Sequence, residues 1–234
     1  NSGLPQIAVR DLEIQKKEND LVVGTFGRGI YVLDNFSPLR EISKEILDKE
    51  FYLFSIKDAY HYFQDNSRNK DDQGSDFYRA KNPEYGAIFT YYLKDTYKGK
   101  KDIRKENEEK IEKDKKTYTY PKFEELKAED LEEGAYLIFE IQDEAGNIIR
   151  RLINTPKKGI NRVSWDLCFA SKAPVSKNTK TEKHSDFPVL PGKYTLTVYK
   201  SVNGEIAKLS DPVKFNVNRL KNSVLPANVE KILA

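Results

Sequence analysis

The amino-acid sequence predicts a mainly β chain: a two-sheet sandwich over its second half, a small antiparallel meander at its start, and a charged insertion that is a solvated helix or a disordered loop. Three observations carry this. Short apolar runs alternate with polar residues at period two, which gives a strand one buried and one wet face. Turn formers separate those runs. Fourteen Tyr and twelve Phe in 234 residues, alongside many Val, Ile and Thr, favour the pleated backbone over the helix.

The first 36 residues read as three short strands, Ile7 to Ile14, Leu21 to Thr25 and Ile30 to Asp34, joined by tight turns at Lys16 to Asn19 and Gly27-Arg28-Gly29. A three-stranded meander needs something to pack against, because a small isolated sheet is marginal in water. Residues 37–84 read as a linker with one short helix, Ser43 to Leu47 with Ser43 as N-cap, one short strand at Phe51 to Phe54, and an exposed loop at Asp65 to Asp76.

From residue 85 to the end, seven short strands follow. Ala87 to Leu93 is a strand by composition. Tyr136 to Gln142 alternates with Leu137, Phe139 and Ile141 on one face, and Asp143 to Asn147 turns into Ile148 to Leu152. Val163, Trp165 and Leu167 point one way. Pro191-Gly192 leads into Tyr194, Leu196 and Val198; Asn203-Gly204 signals a hairpin; Val213, Phe215 and Val217 close the chain of strands. Seven alternating strands divided by turns predict a β-sandwich. An insertion at about 97–131 interrupts it. Lys98 to Lys116 is almost wholly charged, and its helical Glu–Lys pairs contribute only about 0.2–0.5 kcal/mol each. Phe123 to Glu133 reads as a better-anchored turn, with Phe123, Leu126 and Leu131 as contacts.

Composition excludes several functions. Lys and Arg exceed Asp and Glu by three, so no net field calls for nucleic acid. No apolar run is long enough to span a membrane. One cysteine, Cys168, permits neither an intrachain disulfide nor a cysteine zinc cluster, and it reads as a buried, inert thiol. His61 and His184 are the two histidines, too few for a histidine-rich metal site. The absence of methionine, initiator included, is expected of a processed or shortened product.

Candidate sites resolve mostly into structure. Gly24-Thr25-Phe26-Gly27-Arg28-Gly29 has glycines but is followed by a strand, whereas a phosphate cradle needs a helix N-terminus. His184-Ser185-Asp186 has the residue types of a hydrolase triad, but adjacent residues cannot converge as one. Asp71, Asp72, Gly74 and Asp76 do not fit the order of a calcium loop. With 37 acids, some pair always meets the spacing of about 5–10 Å used in glycoside hydrolysis, so that spacing supports nothing here. Tyr91, Tyr92, Tyr118 and Tyr120 could stack on sugars if exposed, although strand tyrosines are commonly cross-strand partners. Tyr91, Tyr92 and Arg28 stand as the possible ligand-facing residues; no catalytic, cofactor or metal residue is assigned.

The run Asn19-Asp20-Leu21-Val22-Val23-Gly24-Thr25-Phe26-Gly27-Arg28-Gly29-Ile30-Tyr31-Val32-Leu33-Asp34 resembles the closing segment of bacterial sortilin-like, BNR-repeat β-propeller proteins, often labelled glycosyl hydrolase or sialidase-like. Phe26 stands where that family usually has histidine. Leu4-Pro5, Val9 to Leu12 and Ser37 to Arg40 fit as well. Asn82 to Ala87, Tyr91 to Lys94, Gly159 to Leu167 and Leu190 to Tyr194 resemble that family's C-terminal domain, which is similar to the immunoglobulin-like domain of flagellar hook-capping proteins. The resemblance implies that residues 1–36 are a remnant of the last propeller blade. It also implies a secreted, extracellular or periplasmic parent with an upstream propeller as partner, and polysaccharide or another protein as further partners. The Asp-box pattern and a sialidase arginine cluster are absent from the sequence, so any activity of the parent is expected upstream. The resulting expectation is a non-catalytic structural and interaction module, with a carbohydrate-binding accessory module as the alternative.

Overall fold

The computed structural model describes residues 6–62, 83–114, 120–171 and 187–220. Among these, 43% are strand and 18% helix, so the chain is mainly β. They divide into two compact units, one of residues 6–48 with 83–84, the other of residues 49–62 and 85 onward.

The first unit holds the meander. Strands β1 (Val9–Gln15), β2 (Asp20–Thr25) and β3 (Ile30–Leu33) pair antiparallel in chain order. Asn19 takes φ +57°, a conformation that asparagine tolerates better than most residues. Gly27 (φ +75°) and Gly29 (φ +82°) shape the second turn, which closes through Thr25 N–H and Oγ1 donating to the Gly29 carbonyl at 3.2 and 2.7 Å. The chain is then tied back on itself: Phe36 N–H donates to the Asn19 carbonyl at 2.8 Å and Asn35 N–H to Asp20 Oδ1 at 2.9 Å. Two short helices follow, α1 (Ser37–Glu41), begun by Pro38 where a missing N–H costs nothing, and α2 (Lys44–Asp48). Ser43 Oγ accepts from Ile46 N–H at 3.3 Å, as its N-cap reading requires.

The second unit holds two sheets packed face to face. One has the order β4 (Phe51–Leu53), β6 (Ala87–Leu93), β9 (Gly159–Trp165), all antiparallel. The other has the order β5 (Ala59–His61), β12 (Val213–Arg219), β10 (Gly192–Val202), β7 (Tyr136–Gln142), β8 (Ile148–Asn154), with β11 (Glu205–Lys208) pairing beside β12 on the long strand β10. Strand β5 runs parallel to β12 and makes this sheet mixed. Within the segment read as a linker, β4 and β5 instead extend both sheets of the second unit.

Inward faces follow the alternation of the sequence. Phe89, Tyr91 and Leu93 meet Leu137, Phe139, Ile141, Leu196, Val198, Phe215 and Val217 in one cluster. Rings bridge the two sheets: Phe89 to Phe215 at 5.5 Å, Tyr91 to Phe139 at 5.2 Å and Trp165 to Tyr194 at 5.4 Å between centroids. Burying each such side chain is worth about 1.5–3 kcal/mol. Asn203 (φ +54°) and Gly204 (φ +81°) both adopt the positive φ of a type I′ turn, which matches strand twist and sets the β10–β11 register.

Tyr194 Oη donates to the Leu190 carbonyl at 2.6 Å. This tyrosine corner fastens the loop entering β10 to the strand's own start. Burial, with the nearby Asp143 charge, pushes the Tyr194 phenol up to about 12. Opposite it, Trp165 is fully buried and donates Nε1–H to the Cys168 carbonyl at 2.9 Å. Leu167, also fully buried, sits at φ +58°. It reaches the core from a left-handed turn and not, as alternation implied, from a continuing strand. Cys168 is half-buried, a correction to its reading as a buried thiol, and its Sγ lies 3.5 Å from the Asp166 carbonyl within that turn.

The insertion is helical where described: α3 (Lys100–Lys113) and α4 (Phe123–Asp130), neither with a buried residue. Phe123 is 77% and Leu131 73% exposed, so these two do not anchor it. The two helices meet through polar groups instead. Arg104 donates Nε and Nη2 to the two oxygens of Glu129 at 2.7 and 3.0 Å and pairs with Glu108 one turn on, while Lys100 N–H donates to Glu132 Oε2 at 2.6 Å.

Gly86 generates a sharp prediction. It sits at φ +108°, and a Cβ there would lie 1.8 Å from the Trp165 carbonyl oxygen. Gly86→Ala is expected to destabilise the second unit by about 3 kcal/mol or more, left-handed strain adding to backbone overlap. Denaturant unfolding followed by Trp165 fluorescence measures this; a loss under about 1 kcal/mol would contradict the packing described.

Candidate functional site

The ligand-facing residues expected from sequence lie in different places. Tyr91 points into the core with no exposed surface. Its ring stacks on Phe51 at 5.7 Å and its Oη accepts from Asn154 Nδ2 at 3.1 Å, while burial raises its phenol pKa. Tyr91 cannot therefore be presented to a ligand. Its parity with Ala87, Phe89 and Leu93 places it inside. Tyr92, one residue on, faces outward and is half-buried, with Tyr52 and Ile160 as its cross-strand neighbours. Arg28 is exposed in the glycine turn, where β3 follows in place of the helix that a phosphate cradle requires. Tyr120 is 76% exposed beside the insertion. Tyr118, the His184-Ser185-Asp186 run and the Asp71, Asp72, Gly74, Asp76 group lie outside the described residues.

What the meander does present is a face. Its register sets Leu12 opposite Val23 and Val23 opposite Tyr31, and in the next row Ile14 opposite Leu21 and Leu21 opposite Leu33. Residues directly opposite share a side of the sheet, so these six form one largely apolar face, with the Tyr31 hydroxyl as their one polar group. No residue of β1, β2 or β3 is buried, and Leu12 is 57% exposed. The reverse face is mixed, with Glu13 opposite Val22 and Val32, and Asp11 opposite Gly24 and Ile30. Near the rim, the Arg10 guanidinium lies 4.8 Å from the Phe26 ring centroid.

Two polar clusters lie in the second unit. On the outer face of β7, Glu140 is buried and accepts from Arg151 Nε at 2.8 Å and from Gln142 Nε2 at 2.9 Å. At one end of the facing sheets, the Glu50 carboxylate accepts from Lys200 Nζ at 2.6 Å and from Tyr97 Oη at 2.9 Å. The Lys200 bond, with help from Tyr97, holds the Glu50 carboxyl below its ordinary value against opposing burial. Burial, and then the Glu50 carboxylate, push the Tyr97 phenol well up. Sequence reasoning missed this cluster, although one signal pointed to it: Lys200 continues the inward series Leu196, Val198, where an apolar residue is expected.

Among the described residues, no group of three or more His, Cys, Asp or Glu side chains could hold a metal ion, and no helix is long and apolar enough to cross a membrane. His61 is partly buried, and that burial, with Arg219 nearby, lowers its pKa. No family model, curated protein or solved structure matches the chain.

The neighbouring tyrosines of β6 separate core from surface directly. Tyr91→Ala is expected to cost about 3–5 kcal/mol of stability, as for other buried aromatics, and Tyr92→Ala about 1 kcal/mol or less, as for a cross-strand pair. Chemical denaturation of the two variants checks this ordering, and a reversed order would contradict the inward placement of Tyr91.

Proposed function

We propose that this chain is a non-catalytic structural and interaction module at the C-terminal end of a larger, secreted propeller-containing protein. The second unit serves as an immunoglobulin-like sandwich, a reading supported by its two facing sheets, its buried tryptophan and its tyrosine corner. The first unit contributes the strands β1–β3 to a sheet layer whose other members lie upstream.

The observation that carries this reading is the incompletely covered apolar face of the meander. Six largely apolar side chains on one side of a sheet, with Leu12, Ile14 and Leu33 exposed and Leu21, Val23 and Tyr31 only half-buried, leave part of the hydrophobic stabilisation of that sheet unrealised. The size of the face favours a tethered partner. Six partly covered side chains fall short of the roughly 800 Å² per partner that a stable association between separate molecules buries, whereas a partner in the same polypeptide is held at high effective concentration. The resemblance of residues 19–34 to a closing propeller segment names that partner.

The alternative is a carbohydrate-binding accessory module of a glycoside hydrolase or sialidase-like parent. It calls for a row of exposed aromatics on one sheet face, and the burial of Tyr91 removes one member of the row expected from sequence. The interaction reading is preferred for that reason.

Leu12→Lys tests the proposal in two contexts. In the chain alone, the substitution is expected to change unfolding stability by no more than about 0.5 kcal/mol, as for an exposed site. In the parent polypeptide extended upstream, the same substitution is expected to cost about 2 kcal/mol or more, as for a core position. Equal costs in both contexts would sink the proposal, and binding of the chain to a glycan panel at millimolar ligand would favour the alternative.

A further inference from the structure

We propose that the outer face of the sheet formed by β8, β7, β10 and β11 is the contact between two copies of this chain. The copies pack face to face across a two-fold axis through a stripe of Ile153, Ile138, Tyr136, Tyr199 and Ile206. This surface belongs to the second unit and is separate from the meander face on which the proposed function rests, so either reading can fail alone.

The stripe follows from register. Leu137, Phe139 and Ile141 of β7 and Leu196 and Val198 of β10 point into the core, so their alternate neighbours stand on the outer face. Ile153 of β8 lies opposite Ile138, and Ile138 opposite Tyr199. One row away, Tyr136 lies opposite Ser201, and Ser201 opposite Ile206 of β11. Ile153 is 71% and Ile206 65% exposed, while Ile138, Tyr136 and Tyr199 are half-buried. A lone exposed isoleucine is ordinary on a protein surface, whereas a continuous apolar stripe across four strands marks a contact. The rest of the same face is mostly polar, as alternation predicts. Arg151, Glu140 and Thr197 form the next row, and Ile148, Gln142, Thr195 and Lys214 the row after.

Both ends of the stripe are fixed by the fold itself. The turn at Asn203 and Gly204 sets β11 on β10. Beyond it, Leu209 N–H donates to the Val198 carbonyl at 2.8 Å and Val198 N–H to Ser210 Oγ at 3.0 Å. Ile153 is held by the pairing of β8 along β7. A preformed stripe avoids the ordering cost that weakens association through loops.

Three features select a second copy as the occupant. The stripe ends in isoleucine on both β8 and β11, with tyrosines between. A two-fold rotation perpendicular to the sheet exchanges those ends and sets Ile153 of one copy against Ile206 of the other. The charges beside the stripe are closed within each chain: Arg151 pairs with the buried Glu140 at 2.7 Å, and Lys208 with Asp211 at 3.6 Å. Like charge therefore does not oppose a second copy at the stripe, and Lys214 lies two rows away. The area is also adequate. Four strands about 4.8 Å apart and seven residues of about 3.3 Å each give a flat footprint of about 440 Å². The relief of standing side chains raises the accessible area to about 600 Å² per partner, where the size range of stable interfaces begins. Tyrosine, enriched at such contacts, fills the middle of the stripe.

Sedimentation equilibrium of the full chain over the micromolar range tests this, with Trp165 near-ultraviolet circular dichroism as the monitor of the fold. The chain is expected to sediment at twice its own mass, with a dissociation constant that Ile153→Lys and Ile206→Glu each raise at least about tenfold. The double variant Ile153→Lys/Ile206→Glu is expected to recover most of the dimer, because the new charges meet with opposite sign across the axis. Ile160→Lys, at an exposed position on the other sheet, and Leu12→Lys on the meander are expected to leave the dimer unchanged. A chain that stays single throughout the range would overturn the inference and assign the stripe to a different protein. Loss of the dimer through Leu12→Lys instead would move the contact to the meander, and a double variant no better than the single ones would refute the pairing of the stripe's ends.

Discussion

Most of the fold depends on the indole of Trp165. Its ring meets Tyr194 at 5.4 Å and Phe215 at 6.2 Å, both on the opposite sheet. A buried indole N–H left without an acceptor would cost about 1–3 kcal/mol, and the chain bends after β9 so that the Cys168 carbonyl supplies one. That bend forces Leu167 to φ +58°, at a cost of about 1–3 kcal/mol for a residue with a branched side chain. Burial of the leucyl side chain, worth about 1.5–3 kcal/mol, offsets it. The same turn orders its neighbours: Val189 N–H donates to the Leu167 carbonyl at 2.8 Å and Phe169 N–H to that of Phe187 at 2.9 Å. Gly86 completes the arrangement, since only a residue without Cβ can pass so close to the Trp165 carbonyl. One side chain thus fixes the start of β6, the exit from β9 and the entrance to β10.

The parts of this fold legible in the sequence are those where period-two alternation has a single physical cause. Ala87 to Leu93 and Tyr136 to Gln142 are strands with the expected bounds, because each has one face in a sealed core. Strand β5 was not legible: three residues, Ala59–His61, paired in parallel at a sheet edge, are too few to show a period. Helix α1 was hidden by its second residue, Pro38, whose place in the first turn is as compatible with a loop. Phe123 and Leu131 were misread because apolar residues in a helical stretch imply a buried stripe only when something covers it, and charged pairs hold this insertion instead. Tyr91 shows the opposite error. Its chemistry suggested a sugar platform, whereas its parity with Phe89 and Leu93 already assigned it to the core.

Three sources of order coexist in the chain, and they respond to different conditions. The second unit has a closed apolar core, which is non-directional and insensitive to salt. The insertion rests on ion pairs and charge-assisted hydrogen bonds; the Arg104–Glu129 fork is the best placed, with the Glu129 side chain 7% exposed. Such pairs weaken with acid, and their exposed members weaken with salt. The meander has backbone ladders and tight turns but no fully buried residue in its strands, and ladders alone leave a small sheet marginal.

This ranking bears on how the two dependent parts could serve a common purpose. A sheet that lacks its covering layer gains most from a partner with a complementary apolar face, and it gains that stability only in the partner's presence. An insertion tied by charges is insensitive to such a partner but responsive to its electrostatic surroundings. The closed core of the two facing sheets needs neither. It therefore supplies the stability against which an apolar contact on one part and an electrostatic contact on another can each be made or broken without loss of the fold. The proposed role as a structural and interaction module calls for such local responses, since parts with their own low-energy openings can change without global unfolding.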